Sequence, residues 1–416
     1  MLPIAFFMTS MVRSYPFLST GIGVPSLPPC APADGFPGGP GHFDRVVHPI
    51  SPIAPPYARR YRVSRSDRMD RVRKESYLYT RLAGGTVECG TCRRRCVIPE
   101  SGWGWCRTRV NEGGRLYSEI YGEVSSVSIN PIEKKPVFHF HPGSRWLSLG
   151  SVGCNFRCPG CQNWEIAHWS EGPPGTEYVA PEEAVSKARS AGCLGISWTF
   201  NEPTVWFEYT FDSARLAKSG GLRTNYVTNG FMTEEALGMI APFLDVYRVD
   251  IKGFSENTYE RMGHIGKFRG ILETARKAKE CGMHVEVVTN ITPGVNDDKA
   301  ELRAIASWIR NTLGPGTPWH VTRFHPNHEL RNLPPTPISL LEKARVMGKD
   351  EGLWYVYLGN VPGHPGENTC CHACGELLIE RHIFEIKTCK IRGNRCPECG
   401  TAIPGEFSRN RLARTL

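Results

Sequence analysis

The sequence predicts an α/β fold: a full or partial (β/α) TIM-type barrel with small cysteine-rich metal modules before and after it. Three observations predict it. Apolar runs alternate with helical patterns between residues 145 and 360, which is the signature of βα units and parallel strand pairing. The polar residues with chemical potential stand directly after those runs, where a barrel gathers its site-forming loops. The cysteines cluster tightly at both flanks and once inside the region. A doubly wound open sheet fits the alternation equally well; the polar residues at the strand ends favour the barrel.

The elements follow in order. Residues 145–150 read as a strand entering a cysteine loop. Residues 181–191 read as a helix, with Pro181 in its first turn, Glu182 and Glu183 behind it and Gly192 as its stop. Strands are expected at 195–200, 224–228 and 246–251. A helix is expected over 268–281, where Ile271, Leu272, Ala275 and Ala278 recur at helical spacing and Gly282 closes it. Strands at 284–288, 319–324 and 354–358 complete about six units.

Four regions result: 1–75, 76–144, 145–360 and 361–416. The first holds twelve prolines and six glycines within residues 1–57, without periodicity. It is expected to be disordered, because it cannot bury enough apolar surface to offset its chain entropy. Its apolar start has no basic residue before it and no convincing cleavage site after it, which argues against a targeting peptide. Translation starting at Met69 is the plainer reading, and Cys30 receives no role.

Charge excludes one class of function. The chain carries a net +9, but residues 1–75 hold ten Lys/Arg against five Asp/Glu, leaving only +4 for the remaining 341 residues. A large basic face for nucleic acid is therefore not expected. No apolar stretch approaches a membrane span. Sixteen cysteines in short-spaced clusters suggest metal sites in a reducing compartment, and so a cytoplasmic protein, rather than a secreted disulfide framework.

The central signal is Gly153-Cys154-Asn-Phe-Arg-Cys158-Pro-Gly-Cys161-Gln-Asn-Trp164. Three thiolates at these spacings can hold one face of a 4Fe–4S cube and leave one iron open for an exchangeable ligand. A structural zinc site would want four protein ligands. Cys371-x2-Cys374-Gly375 and Cys396-x2-Cys399-Gly400 are two matched knuckles, most simply a zinc ribbon, with iron as the runner-up. Cys89-x2-Cys92-x3-Cys96-x9-Cys106 is a further set of four, open to zinc or to an auxiliary iron–sulfur cluster, with a structural role preferred. Cys370 and Cys389 are read as spectators, and Cys193 and Cys281 as buried helix-end residues.

Cys-x3-Cys-x2-Cys after a first strand resembles the radical S-adenosylmethionine (SAM) enzymes. The wording Val-Gly-Cys-Asn-Phe-Arg-Cys-x-x-Cys-Gln-Asn-Trp-Glu resembles one branch closely, the radical SAM member of the AmmeMemoRadiSam group, which is related to pyruvate formate-lyase activating enzymes. The likeness runs from about residue 76 to 405. It includes Asn130-Pro-Ile-Glu-Lys-Lys-Pro136, Asn201-Glu-Pro-Thr204, Val227-Thr-Asn-Gly230, Asp250-Ile-Lys252 and Thr292-Pro-Gly-Val-Asn-Asp297.

The resemblance implies a 4Fe–4S cluster on Cys154, Cys158 and Cys161, which are thereby the catalytic residues, and SAM bound beside it. It implies that Asn201 and Glu202 lie along the methionine moiety, although an asparagine before Pro203 also reads as a helix start. It implies that Asp250 and Lys252, on one face of a strand end, contact SAM; a self-neutralising pair explains them equally. Asn229 and Asn290 end their strands and are candidates for ribose or carboxylate, and His325 for substrate or a strand cap. His139 and His141 are placed on a surface segment without a role. One position departs from the family: Gly160 stands where many members have a large residue against adenine, so Phe156 or Trp164 is expected to supply that contact.

The implied chemistry is reductive cleavage of SAM to methionine and a 5′-deoxyadenosyl radical that abstracts hydrogen from a substrate. The implied partners are a one-electron donor of flavodoxin or ferredoxin type, and either a glycyl radical enzyme or Memo-type and AMMECR-type proteins; neither nucleic acid nor membrane is expected. A non-catalytic iron–sulfur and zinc scaffold that docks a partner is the alternative. It predicts four ligands per cluster, and the three-cysteine loop argues against it.

Overall fold

The computed structural model describes residues 72–168 and 175–407. Met69, Cys30 and all but the last four residues of the segment expected to be disordered lie outside these. Those four residues correct the expected boundary, since Lys74–Glu75 is a strand paired with Arg115–Ser118.

The centre of the molecule is one eight-stranded sheet. Its strands are β1 (Ser126–Pro131), β2 (Arg145–Gly150), β3 (Gly195–Trp198), β4 (Arg223–Thr228), β5 (Val246–Asp250), β6 (His284–Ile291), β7 (Trp319–Arg323) and β8 (Val356–Gly359). They lie side by side in sequence order. From β2 to β8 every pairing is parallel, while β1 runs antiparallel to β2 with Ser126 opposite Gly150 and Pro131 opposite Arg145. No pairing joins β1 to β8 among the described residues. The sheet is thus a partial barrel, the narrower of the two expected forms.

Sequential parallel strands require crossovers of one hand, which place their helices along one face. The principal helices are α1 (Pro181–Ser190), α2 (Phe207–Ser219), α3 (Glu234–Ile240), α4 (Arg269–Glu280), α5 (Lys299–Trp308) and α6 (Ile338–Asp350). Neighbours α1 and α2, α2 and α3, and α5 and α6 pack on one another. Between them and the strands lies a core that includes Trp198, Trp206, Tyr226, Tyr247 and Trp319, each fully buried. Burying such rings on both faces explains why the strands read as near-continuous apolar runs.

The N-terminal module comprises two small antiparallel sheets, one of Tyr79–Arg81, Val87–Cys89 and Val97–Ile98, the other of Lys74–Glu75, Arg115–Ser118 and Arg109–Glu112. It sits against the loop after β4: Arg93 N donates to Phe231 O (3.1 Å) and Thr233 Oγ to Gly90 O (2.7 Å). The C-terminal module is a sheet of Thr369–Cys370, Leu377–His382 and Glu385–Cys389. It packs on the barrel through Phe138, Tyr355 and Tyr357. Among the described residues no helix is long and apolar enough to cross a membrane.

Two expectations fail here. His139, expected on the surface, is fully buried; its ring is bonded to Tyr357 OH (2.6 Å) and to the carbonyl of Pro404 (2.6 Å). Cys281, expected to be buried, is exposed, because it follows the last turn of α4 on the solvent side.

Candidate functional site

The parallel strands β2 to β6 end together, so the residues that follow them form one rim. β2 delivers the loop 151–161, β3 delivers Asn201 and Glu202, β4 delivers Asn229, β5 delivers Asp250 and Lys252, and β6 delivers Asn290.

The cysteine loop is held by its neighbours. Asn201 accepts from Ser151 N (3.0 Å) and donates to Gly153 O (3.0 Å), clamping the chain just before Cys154. Asn229 Nδ2 donates to Asn155 Oδ1 (2.7 Å) and lies 3.8 Å from Cys154 Sγ, and its Oδ1 accepts from Phe231 N (3.0 Å). Phe156 N points at Cys154 Sγ from 3.3 Å, an amide placed to stabilise a thiolate. Arg157 donates to the carbonyls of Cys154 (2.8 Å) and Trp105 (3.0 Å). Burial pushes all three thiols up, Cys161 to about 12, with the neighbouring cysteines adding to the shift at Cys154 and Cys161. Thiolates buried together at a barrel mouth need a cationic group to offset them, and this donor set fits an iron–sulfur cluster.

Glu202 is fully buried and takes the capping reading. Its Oε1 accepts from Thr204 N (3.0 Å), Thr204 Oγ (2.6 Å) and Thr228 Oγ (2.7 Å), and its Oε2 from Asn229 N (2.7 Å). Burial raises its pKa against those hydrogen bonds. It fixes the end of β4, and Asn229 with it. The cap of the Pro203–Trp206 turn is therefore Glu202 rather than Asn201.

Asp250 forms ion pairs with Arg248 and with Lys252 Nζ (3.1 Å). Burial alone would raise the carboxyl; the two cations outweigh it and hold Asp250 below its ordinary value. The Asp250 carboxylate and the Cys158 sulfur hold Lys252 well above its own, against burial. Lys252 therefore stays cationic beside the cysteine loop. Among the described residues the buried Nε of Arg248 has no hydrogen-bond partner.

Asn296, which sequence reasoning did not single out, ties two of these strand ends together. Its Nδ2 donates to Lys252 O (2.7 Å) and Asn290 O (2.9 Å). It lies in the quoted Thr292-to-Asp297 motif, so its signal was present. Asn290 donates to Thr322 Oγ (3.0 Å). His325 is partly buried, which lowers its pKa.

Gly160 has a physical reason. A Cβ there would meet the Phe324 ring at 3.1 Å and Leu330 Cδ1 at 3.2 Å, so these two side chains occupy the space a larger residue would take. Of the two expected substitutes, Phe156 is excluded: it is 1% exposed and packs against Phe231 and Gly263 in the core. Trp164 is exposed at the rim, stacked on His328 at 4.8 Å.

Away from the rim, the sulfurs of Cys371, Cys374, Cys396 and Cys399 all lie within 4.8 Å of one another, with Cys371–Cys399 at 3.6 Å and Cys374–Cys396 at 3.7 Å. A tetrahedral ion with bonds of about 2.3 Å sets its thiolates about 3.8 Å apart. The two knuckles therefore form a metal-binding group, as their spacing predicts.

The family model described as the radical SAM superfamily matches residues 149–309. An uncharacterized protein of Methanocaldococcus jannaschii is 42% identical over 332 residues, covering 79% of this chain and 98% of that protein. The pyruvate formate-lyase-activating enzyme of Clostridium pasteurianum is 27% identical over 173 residues, 38% of this chain and 67% of that enzyme. A solved radical SAM methyltransferase of Sphaerobacter thermophilus aligns with a TM-score of 0.43 at 16% identity, covering 57% of this chain and 71% of that one. With a matched segment that contains the three-cysteine loop and a relative aligned over almost its whole length, the chain belongs to the radical SAM superfamily.

Proposed function

We propose that this chain is an enzyme that cleaves SAM reductively and uses the resulting 5′-deoxyadenosyl radical to abstract a hydrogen atom from its substrate. Membership of the superfamily implies the 4Fe–4S cluster and SAM; that this chain performs the reaction is our reading. The observation that carries it is the three-cysteine loop at the mouth of the partial barrel, braced by Asn201 and Asn229 and flanked by Lys252.

Cys154, Cys158 and Cys161 would hold the cluster. When bound, a reduced cluster supplies the electron that breaks the carbon–sulfur bond of SAM. The protein's own residues do the rest. Asn201, Asn229 and Glu202 fix the loop, Glu202 acting through Thr228 and Asn229. Asp250 and Lys252 present one anion and one cation to the zwitterionic methionine end of SAM. Asn290 stands at the next strand end, available to a hydroxyl or carboxylate. Trp164 offers an exposed ring face for adenine. The four C-terminal cysteines hold zinc in a separate structural module, and residues 76–144, 145–360 and 361–416 act as three units.

For the finer type we favour an AmmeMemoRadiSam-like, activase-related enzyme. The distant likeness to an enzyme named for activating pyruvate formate-lyase supports a backbone glycine of a glycyl radical protein as target. A small-molecule target reached with Memo-type and AMMECR-type partners fits the quoted motifs. Either needs a one-electron donor of flavodoxin or ferredoxin type.

The test is anaerobic reconstitution with iron and sulfide, then dithionite and SAM, with 5′-deoxyadenosine and methionine as readouts. Both should form, and Cys158→Ala should abolish them together with the cluster absorption. Deoxyadenosine formation that survives Cys158→Ala would refute the assignment.

A further inference from the structure

Cys89, Cys92, Cys96 and Cys106 line a single cavity, together with Arg94 and Asn155. Cys89, Cys92 and Cys106 are buried and Cys96 is partly so. They come from three places, the strand Val87–Cys89, the turn after it and the loop before Arg109–Glu112, and the fold sets all four around that one cavity.

The chain holds a second set of four cysteines, which makes a direct comparison possible. At the C-terminus the four sulfurs already stand at the separations one tetrahedral ion requires, in two matched Cys-x-x-Cys knuckles. Among the described residues, that is the one group of three or more such ligands gathered within 4.8 Å. The N-terminal sulfurs therefore stand wider apart around their cavity, and their spacing is x2, x3 and x9 rather than paired knuckles. A lone ion with bonds of about 2.3 Å cannot reach across such a gap to all four. A polynuclear cluster, whose metals and bridging sulfides fill the space between the thiolates, can.

The surroundings suit that occupant. Four thiolates and sulfides carry net negative charge, and Arg94, a cation without an acidic partner among the described residues, lines the same cavity, while Arg109 beside it is already paired with Glu208. The cavity also adjoins the catalytic loop. Arg94 Nε donates to Asn155 O (2.6 Å), and Asn155, next to Cys154 in the chain, is the residue that Asn229 holds 3.8 Å from the Cys154 sulfur.

We propose that Cys89, Cys92, Cys96 and Cys106 hold a second iron–sulfur cluster, separate from that on the three-cysteine loop and one residue away from it through Asn155. The test uses the full chain with Cys154, Cys158 and Cys161 all changed to Ala, reconstituted anaerobically with iron and sulfide. The expected result is two to four irons per chain, as four-thiolate clusters hold about that number, and a paramagnetic signal on reduction with dithionite. Adding Cys92→Ser and Cys96→Ser should remove that iron, whereas adding Cys374→Ser and Cys396→Ser should leave it. In the chain without substitutions, iron should exceed the content of one cube by the same amount. About two zinc ions and no iron in the triple variant would overturn the proposal, as would iron that persists after Cys92 and Cys96 are replaced. Because the readout is metal content and spectrum, its failure is distinct from a failure to form deoxyadenosine.

Discussion

The N-terminal module is joined to the barrel by a buried ion pair, and breaking it should be costly. Arg109 lies in the Arg109–Glu112 strand and Glu208 in the first turn of α2, with side chains 2% and 0% exposed. They meet through two parallel bonds, Nη1 to Oε1 at 2.9 Å and Nη2 to Oε2 at 2.8 Å. Glu208 also accepts from Tyr77 N (3.2 Å), and Arg109 also donates to Ser76 Oγ (2.5 Å). Glu208→Ala leaves a guanidinium buried without its counter-ion, and the loss of one partner from such a pair typically costs about 3–5 kcal/mol. Replacing both partners with apolar residues of similar size, Arg109→Met with Glu208→Leu, removes the stranded charge. The remaining losses are the partner of the Tyr77 amide, about 1–3 kcal/mol, and that of the Ser76 hydroxyl, about 0.5–1.5 kcal/mol because it is free to rotate to another partner. Urea unfolding should therefore give the double variant a smaller loss than Glu208→Ala alone, and limited proteolysis should show residues 72–120 released first in the single variant. A loss below about 1 kcal/mol in Glu208→Ala, or a double variant no better than the single one, would refute the reasoning.

Three further outcomes are expected. Burial, with Lys134 and Arg248 nearby, pushes the Lys135 amine down to about 7. An unfolded lysine titrates near 10.4, so between these values the unfolded chain binds more protons and stability rises with pH, by at most about 1.4 kcal/mol per unit. Lys135→Met should remove that rise: wild type minus variant should be constant below pH 7 and grow from pH 7 to 10, and a difference independent of pH would contradict it. Cys374→Ser should lower bound zinc by about one ion and weaken the C-terminal module while leaving loop iron intact; equal loss of both metals would mean the modules are not independent. Gly160→Leu should lower stability by about 1–3 kcal/mol through overpacking against Phe324 and Leu330, and Leu330→Ala added to it should recover part of the loss on thermal unfolding.

The barrel was legible because its strands are buried on both faces and its helices are punctuated by Gly192 and Gly282, signals that act over a few residues. The three-cysteine loop and the two knuckles were legible because their ligands are close in sequence. What escaped depends on residues that meet only in the fold. Glu202 reads from the sequence as a SAM contact, but its sequence neighbours do not announce that Thr228 and Asn229, at the end of the next strand, supply two of its four hydrogen bonds. Phe156 looked like a rim aromatic until Phe231 and Gly263 were seen to enclose it. Glu286 was passed over as one letter in an apolar strand. It accepts from the backbone N–H of Phe138 (2.9 Å) and of His139 (2.8 Å) and is bonded to His284 (2.8 Å) and His320 (2.6 Å). Those partners are as much as 148 residues away, and no local pattern announces them.

The seam between β1 and β8 has a consequence for how the protein is made. The segment beside that seam is sealed from the far end of the chain: Arg381 donates to Phe138 O (2.9 Å), His139 is bonded to Pro404 O (2.6 Å), and His141 N donates to Glu406 O (2.6 Å). These contacts span 243 and 265 residues for the first two. A ribosome must release residue 406 before residues 138–141 can settle, although the cysteine loop that follows them has left the tunnel long before. Separations of this length slow folding, because loop closure precedes any reward from contact. The thiols of the three-cysteine loop thus wait on a nascent chain whose barrel is still unsealed, so a cluster of the proposed kind would be loaded there after synthesis rather than during it.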